Sequence, residues 1–406
     1  MTSRRVFLKS GSVALLSLGF APSFLARTAH AAGTRKKLLI AVFQRGAVDG
    51  LNMVVPHGDA HYYQARPAIA IARPGVDEGA IDLDGFFGLH PRMAALVPTW
   101  RDGHLAVVHA SGSPDATRSH FDAQDYMESA TPGVKSTRDG WLNRYLQTRP
   151  DADQPLRAVA LTTGLPRTLQ GRAPALAVGR VDDFALRNSG TGASLARAYA
   201  GSDAAMKDAA AEAYDALALV ADRVRGPYQP REGVTYPRSP FGQSLQEIAR
   251  LAKADVGLEV AFAESTQWDH HANEGGARGQ IANRLDDFAR GLDALMRDLG
   301  DRMADIVIVT MSEFGRAVAQ NGSGGTDHGH GNAMLVMGGP VKGGRVYGRW
   351  PGLAPEQRHD GRDLAITTDF RDVFAEIAVA HLGAARPSLA QVFPGWTPAA
   401  AGLGLL

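Results

Sequence analysis

An amphipathic helix followed directly by a continuous apolar run is the feature that most restricts the fold of this chain. In residues 279–299, apolar side chains recur at alternating steps of four and three, as on one face of a helix. They are Ile281, Leu285, Phe288, Leu292, Leu295 and Leu299. The segment "ADIVIVTMSEFG" (304–315) follows and predicts a strand with almost no polar position. Such a strand is typical of a parallel sheet that is covered on both faces.

Other strand candidates are separated by helical segments. Apolar runs that predict strands or short strand pieces occupy residues 38–43, 104–112, 156–164, 173–179, 256–265 and 332–339, and residues 190–255 are alanine-rich with helical spacing. This alternation predicts an α/β fold, a three-layer α/β/α sandwich with a mainly parallel central sheet. We expect one domain over residues 32–406, with a proline-rich surface loop near 225–240.

Polar residues of the kind that bind metals follow these strands. In open α/β sheets, ligands bind beyond the carboxyl ends of the strands. The loops at that edge carry Asp49; Thr117, Arg118, Ser119 and His120; Asp269, His270 and His271; Glu313 and Arg316; and Asp327, His328 and His330. Each loop alone is also typical of ordinary structure, because Glu313 could begin a helix and Ser119 could be an N-cap. Five such loops at one edge favour a metal site.

The chemistry of these side chains indicates which ions and reactions to expect. The chain has no cysteine, which excludes disulfides, thiolate catalysis, iron–sulfur clusters and cysteine-ligated zinc. Carboxylates and imidazoles suit Zn²⁺, Mn²⁺, Mg²⁺ or Ca²⁺. Two such ions about 4 Å apart can bind the attacking and leaving oxygens in phosphoryl or sulfuryl transfer. A metal and a helix N-terminus would both favour a serine alkoxide, and an arginine can bind a tetrahedral oxyanion.

The motifs, taken together, resemble a known family. "RGAVDGLN", "RSHFDAQD", "WDHHANE", "SEFGR" and "NGSGGTDHGHGN" look like an uncharacterised family of twin-arginine-exported proteins placed in the alkaline phosphatase/sulfatase superfamily. The similarity to that family covers nearly all of the chain after the N-terminal segment. The similarity to the wider superfamily rests on the order of the elements.

The resemblance implies a fold, an activity and residue roles. The fold would be alkaline-phosphatase-like, and the protein would be a metal-dependent hydrolase of phosphate or sulfate esters with one or two divalent ions. Asp49, Ser119 and Glu313 would face one metal, and Asp269, His271 and His328 the other. Ser119 would be the nucleophile or a hydroxyl ligand, with Thr117 as its substitute and Arg118 beside it. The supporting residues would be His120, His270, Asp327, His330 and Arg316.

Two departures from the superfamily pattern bear on these roles. Superfamily members usually have Asp-His-Gly after the penultimate strand, where this chain has Glu313-Phe314-Gly315, which favours a weaker or missing second metal. The chain also has no Cys-x-Pro-x-Arg motif, so a sulfatase-type formylglycine could form only from serine.

The N-terminus predicts export. "TSRRVFLKSGSVALLSLGFAPSFLARTAHAAG" has paired arginines, a short apolar core and small residues around Ala31, as in a twin-arginine signal peptide that is cleaved. The alternative is a membrane anchor, but Gly, Ser and Pro interrupt the apolar core. We expect recognition by the twin-arginine translocase, cleavage near Ala31, and a periplasmic or secreted protein without integral membrane association.

The charge of the remaining chain argues against nucleic acid as a partner. Residues 1–31 hold four of the 43 basic residues and none of the 42 acidic ones, which leaves 39 against 42. A surface with a net charge near −3 has no polybasic attraction for nucleic acid.

Three functions compete at this point. The first is an exported metal-dependent hydrolase that acts on a small or polymeric phosphate or sulfate ester. The second is a non-catalytic binding or accessory protein on a hydrolase-like scaffold, which the missing histidine after Glu313 favours. The third, a metal-bearing oxidoreductase, has the least support because the sequence has no dinucleotide fingerprint.

Overall fold

The central sheet is built from the apolar runs found in the sequence. The computed structural model describes residues 16–17, 36–149, 156–181, 223–224, 226–399 and 402–406. Its main strands are β1 (Leu38–Gln44), β2 (Leu105–Gly112), β3 (Ala158–Ala160), β4 (Ala175–Ala177), β5 (Val260–Ser265), β6 (Ile306–Met311), β7 (Arg316–Gln320), β8 (Thr326–His328), β9 (Asn332–Gly338) and β10 (Arg345–Tyr347). Two-residue strands lie at Leu16–Ser17, Val54–Val55, Ile81–Asp82, Gly88–Leu89 and Thr368–Asp369.

The strand order places short strands at both edges of the sheet. From the edge formed by Leu16–Ser17, the order is β4, β3, β5, β1, β6, β9, β2 and β10. Neighbours from β4 to β6 are parallel, whereas β9 is antiparallel to both β6 and β2. Strands β7 and β8 form a separate antiparallel ribbon. Because β9 runs in the opposite direction, it begins at the edge where β1, β2, β5 and β6 end.

Both faces of the sheet are covered by apolar cores. Leu38, Ile40 and Val42 of β1 belong to one core, while Leu39, Ala41 and Phe43 belong to the other. Successive residues of a strand point to opposite faces. Because both faces are covered, all six side chains are buried. This alternation explains why the strand has a continuous apolar run. The predicted α/β fold with a mainly parallel sheet and helices on both faces is confirmed.

Five helices of seven or more residues lie within the described part of the chain. They are α1 (His120–Ser129), α2 (Trp141–Gln147), α3 (Pro240–Lys253), α4 (Gln280–Leu299) and α5 (Phe370–Glu376), the last continued by a π-helical turn, Ile377–His381. Helices α3 and α4 pack on one face of the sheet, and α2 and α5 on the other. Shorter α-helical segments lie at Gly50–Met53, Ala60–Ala65, Val97–Arg101 and Leu389–Val392.

The helix ends follow from local sequence. Ser119 caps α1, and its Oγ accepts a hydrogen bond from the Asp122 N–H. Ser239 caps α3 in the same way, with Pro240 in its first turn. The six apolar residues that predicted α4 are all buried, so that prediction is confirmed.

Several sequence predictions fall wholly or partly on residues that the structure does not describe. The predicted signal segment lies outside the described residues apart from Leu16–Ser17, as do residues 190–222 of the alanine-rich stretch. Residues 226–239 of the proline-rich stretch contain no helix or strand. In the described part of the chain, no helix is long and apolar enough to cross a membrane.

Candidate metal centre

Three histidines and one aspartate converge at the carboxyl edge of the sheet. The Nε2 atom of His328 lies 3.0 Å from Nε2 of His120 and 2.9 Å from Nε2 of His271. The Asp269 carboxylate lies 3.3 Å from His328, 3.4 Å from His120 and 3.0 Å from His271, measured to the Nε2 atoms. His120, Asp269 and His328 each offer a ligand atom within 4.8 Å of the others, and His271 contacts two of them.

Hydrogen bonds on the far side of two rings fix which nitrogen faces the centre. Nδ1 of His328 lies 2.9 Å from the Arg118 carbonyl oxygen, and Nδ1 of His120 lies 2.8 Å from Oε1 of Glu313. These oxygens accept hydrogen bonds, so both Nδ1 atoms carry the proton. In the neutral rings, the lone pairs of the two Nε2 atoms therefore lie close together and repel each other. A cation between them removes this repulsion.

The spacing of the nitrogens fits a bound transition metal. Imidazole nitrogens lie about 2.0–2.1 Å from zinc, so two nitrogens on one ion are about 2.9–3.4 Å apart for bond angles between 90° and 109°. The two Nε2 separations, 3.0 and 2.9 Å, fall within that range. A histidine that ligates a metal through Nε2 typically donates from Nδ1 to a carboxylate or a carbonyl, as His120 and His328 do here.

One side of this centre is open. The side chains of Asp269 and His271 are 43% and 46% exposed, whereas those of His120 and His328 are 24% and 22% exposed. Phe314 is buried and packs on the rings of His120 and His328, each with centroids 4.9 Å apart. A small molecule can therefore approach from the side of Asp269 and His271.

Arg316 holds the aspartate and the surrounding loops. Its buried guanidinium donates to Oδ1 of Asp269 at 2.6 Å and to backbone carbonyls of Gly46, Ala47 and Trp268. Burial alone would raise the pKa of Asp269, but the hydrogen bond and charge of Arg316 outweigh it, and the pKa is lowered. The carboxylate is therefore ionised and available as a ligand.

Two glycines allow the loops of the centre to pack backbone against backbone. The Gly315 N–H donates to the His330 carbonyl at 2.9 Å, and the Gly329 N–H donates to the Gly315 carbonyl at 2.8 Å. A Cβ atom at Gly315 would lie 1.8 Å from the Gly331 carbonyl oxygen, and one at Gly329 would lie 2.2 Å from the Arg316 carbonyl carbon. Only glycine fits this approach, which explains part of the "GGTDHGHG" motif.

His120 and Glu313 are arranged differently from the sequence-based assignment. We expected Glu313 to face a metal and His120 to support it. In the structure the His120 ring faces the centre, while Oε1 of Glu313 accepts from His120, from Gln124 Nε2 and from the Gly46 N–H. The pKa of His120 is raised chiefly by the hydrogen bond to Glu313. The buried carboxylate therefore contacts His120 through Nδ1, on the side of the ring away from the cluster.

The structure does not bring Asp49 into the cluster. Its buried carboxylate caps the helix Gly50–Met53 through the Leu51 N–H and forms an ion pair with the guanidinium of Arg66. Burial would raise the pKa of Asp49, but Arg66 lowers it more strongly. Both carboxylate oxygens are thus engaged within the protein, and the expected three-residue set for one metal, Asp49, Ser119 and Glu313, does not form.

The predicted catalytic residues immediately precede His120. Ser119 is exposed, and its Oγ caps α1 at 3.5 Å from the Asp122 N–H. The Ser119 N–H donates to Oγ1 of Thr117 at 3.3 Å. The guanidinium of Arg118 donates to Oδ2 of Asp363 at 2.5 Å from Nη2, and its side chain remains 34% exposed. Ser119 therefore lies at the N-terminus of a helix, next to His120 of the cluster.

The remaining predicted supporting residues differ in their burial and in their contacts. Asp327 lies 3.5 Å from Nδ1 of His271 and accepts from Asn321. His270 is buried, its Nδ1 has no hydrogen-bond partner, and burial lowers its pKa to about 4. His330 is also buried and stacks on His359, with ring centroids 4.1 Å apart. Burial is the main reason that the pKa of His330 falls to about 4.

Two residues that contact the site were not noted from the sequence. Nη2 of Arg362 donates to the His328 carbonyl at 2.7 Å, and Asp363 binds Arg118. Both belong to "HDGRD" (359–363), a charged turn that follows none of the predicted strands. Its mixture of acids and bases around a glycine is the one signal that could have drawn attention to it.

Comparisons with known proteins place the chain in a family and identify distant structural similarities. Residues 36–382 match the model of the family described as "Protein of unknown function (DUF1501)". Among solved structures, the C-terminal periplasmic domain of EcEptC from Escherichia coli, in complex with Zn, is 10% identical, with a TM-score of 0.34 over 76% of this chain and 74% of that chain. The PsFucS1 sulfatase from Pseudoalteromonas sp. is 12% identical, with a TM-score of 0.37 over 88% and 69%. None of the curated proteins matches this chain.

Proposed function

The chain belongs to the family described as "Protein of unknown function (DUF1501)", and from its site we propose that it is an exported metal-dependent hydrolase of phosphate or sulfate esters. The observation that carries this proposal is the convergence of the Nε2 atoms of His120, His271 and His328 on the Asp269 carboxylate. Zn²⁺, Mn²⁺, Mg²⁺ and Ca²⁺ are the candidate ions, and the imidazole-rich set favours the first two.

The residues around the centre suit ester hydrolysis. A bound divalent ion would polarise an ester oxygen and favour an alkoxide nearby. The Ser119 hydroxyl is exposed at the N-terminus of α1, where the helix dipole favours negative charge. Ser119 Oγ would bond to the phosphorus or sulfur atom while the bond to the ester oxygen breaks. The leaving alcohol takes the serine proton, and water then releases the inorganic acid and restores the hydroxyl.

A partly exposed guanidinium is available for the oxyanion of the substrate. Arg118 is held by Asp363 at 2.5 Å and leaves about a third of its side chain exposed, 34%. Arginine binds tetrahedral oxyanions through paired N–H groups. In the proposed enzyme Arg118 orients the phosphate or sulfate group, and Thr117 supports Ser119 through its contact with the Ser119 N–H.

A non-catalytic metal-binding protein is the second candidate. It is favoured by the contacts of Asp49 with Arg66 and of Glu313 with His120. These contacts leave one candidate metal cluster among the described residues, whereas a two-metal hydrolase needs two metal sites. A single ion held by His120, Asp269, His271 and His328 could serve binding alone. The two candidates differ in turnover, which can be measured directly.

Export to the periplasm through the twin-arginine translocase remains part of the proposal. It is supported by the Arg4-Arg5 pair and the small residues near Ala31. This translocase carries folded proteins. The chain can therefore acquire its metal before transport as well as after it.

Metal content and turnover of the exported protein test the proposal. Protein purified from the periplasm should contain at least one equivalent of a divalent metal, as measured by inductively coupled plasma mass spectrometry. It should hydrolyse p-nitrophenyl phosphate or p-nitrophenyl sulfate, and a chelator should abolish that activity. Metal binding without turnover on either ester would favour the binding protein. Stable folding with no bound metal would contradict the hydrolase.

The Ser119→Ala variant should lose hydrolysis while keeping its metal. We expect turnover to fall roughly a thousandfold or more, because the alanine cannot form the covalent bond to phosphorus or sulfur. Loss of the cap of α1 should cost only about 1 kcal/mol of stability. The Ser239→Ala variant is the matched control, since it removes the equivalent cap of α3, where Oγ lies 3.0 Å from the Gly242 N–H. Equal turnover in the wild-type protein and Ser119→Ala would exclude Ser119 as the nucleophile.

A further inference from the structure

We propose that the 359–363 turn positions the ligand His328 and thereby sets the metal affinity of the centre. The turn is closed by a β-bridge between His359 and Asp363. Two of its side chains, Arg362 and Asp363, reach His328 by separate routes. The inference rests on the proposed metal centre and assigns Arg362 and Asp363 as positioning residues, since neither offers an atom to the ion.

The first route fixes the backbone of His328. Nη2 of Arg362 donates to the His328 carbonyl oxygen at 2.7 Å. His328 is the last residue of β8, and its partner across the ribbon is Arg316. The Arg362 side chain is 41% exposed and its Nε also lies 3.6 Å from Oδ1 of Asp363, so polar contacts fix its position more than packing does. The hydrogen bond holds the end of the strand that carries the ligand.

The second route fixes the imidazole ring. Oδ2 of Asp363 accepts from Arg118 at 2.5 Å from Nη2 and 3.2 Å from Nε, and its side chain is fully buried. Arg118 in turn provides the carbonyl that accepts from Nδ1 of His328 at 2.9 Å. A buried carboxylate with two contacts to one guanidinium restrains that residue strongly. Asp363 therefore orients the ring of His328 through Arg118.

The turn is itself attached to the elements that carry the site. Asp363 forms a β-bridge with Ala317 of β7. The Val318 N–H donates to the Arg362 carbonyl at 3.2 Å, and the Gly331 N–H donates to the Leu364 carbonyl at 2.9 Å. The ring of His359 stacks on His330. These contacts lie on both sides of His328 in sequence, so the turn and the ligand form one rigid unit.

A ligand that is held in place before the metal arrives binds it more tightly, because less conformational freedom is lost on binding. Residues that orient metal ligands typically change metal affinity by about 10–100-fold when they are replaced. His271 offers a contrast within the same centre, since its Nδ1 lies 3.5 Å from Asp327 and its side chain is 46% exposed. The geometry thus makes His328, with two positioning partners, more restrained than His271.

Metal titration of two variants tests this role. Arg362→Ala and Asp363→Asn should bind Zn²⁺ or Mn²⁺, each titrated alone into metal-free protein by calorimetry, about 10–100-fold more weakly than the wild type. Arg297→Ala is the matched control, because Arg297 is also half-exposed and donates to one backbone carbonyl, that of Gly233. Its metal affinity should equal that of the wild type.

Two further measurements separate positioning from general stability. Arg362→Ala should leave the thermal unfolding midpoint of the metal-free protein nearly unchanged, and this variant keeps the test valid if Asp363→Asn does not fold. In the metal-free protein, ¹⁵N-correlated spectra of the histidine rings should show the Nδ1–H tautomer of His328 in the wild type and a mixture of tautomers in Asp363→Asn.

The outcomes separate this inference from the proposed function. A wild-type protein that binds neither ion contradicts the proposed metal centre, and the positioning role with it. A wild-type protein that binds metal, with Arg362→Ala and a folded Asp363→Asn binding equally well, overturns the positioning role alone. One combined result also overturns the positioning role. In that result, Arg362→Ala binds metal more weakly and has a correspondingly lower unfolding midpoint, while the His328 tautomers in Asp363→Asn are unchanged.

Discussion

A His328→Gln variant is expected to bind divalent metal at least about a hundredfold more weakly than the wild-type protein. His328 is the one residue whose Nε2 contacts all the other members of the cluster, at 3.0 Å from His120, 2.9 Å from His271 and 3.3 Å from Asp269. Removing a ligand should exceed the 10–100-fold effect of removing a residue that only orients one. Calorimetric titration of metal-free protein with Zn²⁺ measures the change, and ester hydrolysis should fall with it.

The matched control for His328→Gln is His61→Gln. His61 is also a partly exposed histidine beside a carboxylate, with Nδ1 3.2 Å from Asp59, but it is not in the cluster. Its replacement should leave metal binding unchanged. If His328→Gln binds metal as tightly as the wild type and loses only a little stability, His328 has only a structural role at the end of β8, and the metal centre is not formed by this cluster.

The positions of the strands along the chain could be predicted because their physical cause is local. Apolar runs such as "IVIVTM" are buried on both faces, and the six periodic residues of α4 all lie in one core. The antiparallel direction of β9 was not predicted. The connection from β6 to β9 contains the ribbon of β7 and β8 and no helix, and a parallel strand needs a crossover, usually a helix. That missing helix is the sequence signal for the reversal.

The choice of loops was easier to predict than the role of each side chain within them. Residues Ser119 and His120 are neighbours, and which of them faces the centre depends on where α1 begins. The cap by Ser119 sets that start, and the His120 ring then points at His328. Asp49 was expected at the centre, but its partner Arg66 follows 17 residues later in a short helix and loop that no pattern in the sequence connects to it.

The contacts of the 359–363 turn with the candidate site could not be predicted from the order of the strands and helices. The turn follows β10 at the far edge of the sheet and returns to contact β7. Its contacts with His328 and Arg118 join residues 34 and 245 positions apart in sequence. Such contacts depend on the path of a long connection, which local propensity does not determine.

An Arg66→Met variant is expected to lose about 3–5 kcal/mol of unfolding free energy at pH 7, the largest stability effect that we predict. Arg66 is fully buried and forms an ion pair with Asp49, and it also donates to carbonyls of Ala317 and Val318. Methionine fills similar space but leaves the Asp49 carboxylate buried without its cationic partner, which is costly. Urea unfolding at pH 7 measures the loss. The control is Arg302→Met, which breaks a partly exposed pair with Asp255 and should cost about 1 kcal/mol or less.

The pH dependence identifies the unpaired carboxylate as the cause. In the wild type, burial raises and Arg66 more strongly lowers the pKa of Asp49, so its net pKa is below the value in the unfolded chain. The stability that this pair contributes is therefore fully present above pH about 4 and is lost as the pH falls through the lowered pKa. In Arg66→Met, burial is expected to favour the protonated form of Asp49, because the guanidinium that opposes this effect in the wild type is gone. The difference in unfolding free energy between wild type and variant should thus be largest near pH 7 and should narrow below pH about 5. A difference that does not change between pH 7 and pH 4 would show that lost packing and hydrogen bonds, and not the buried charge, account for the destabilisation.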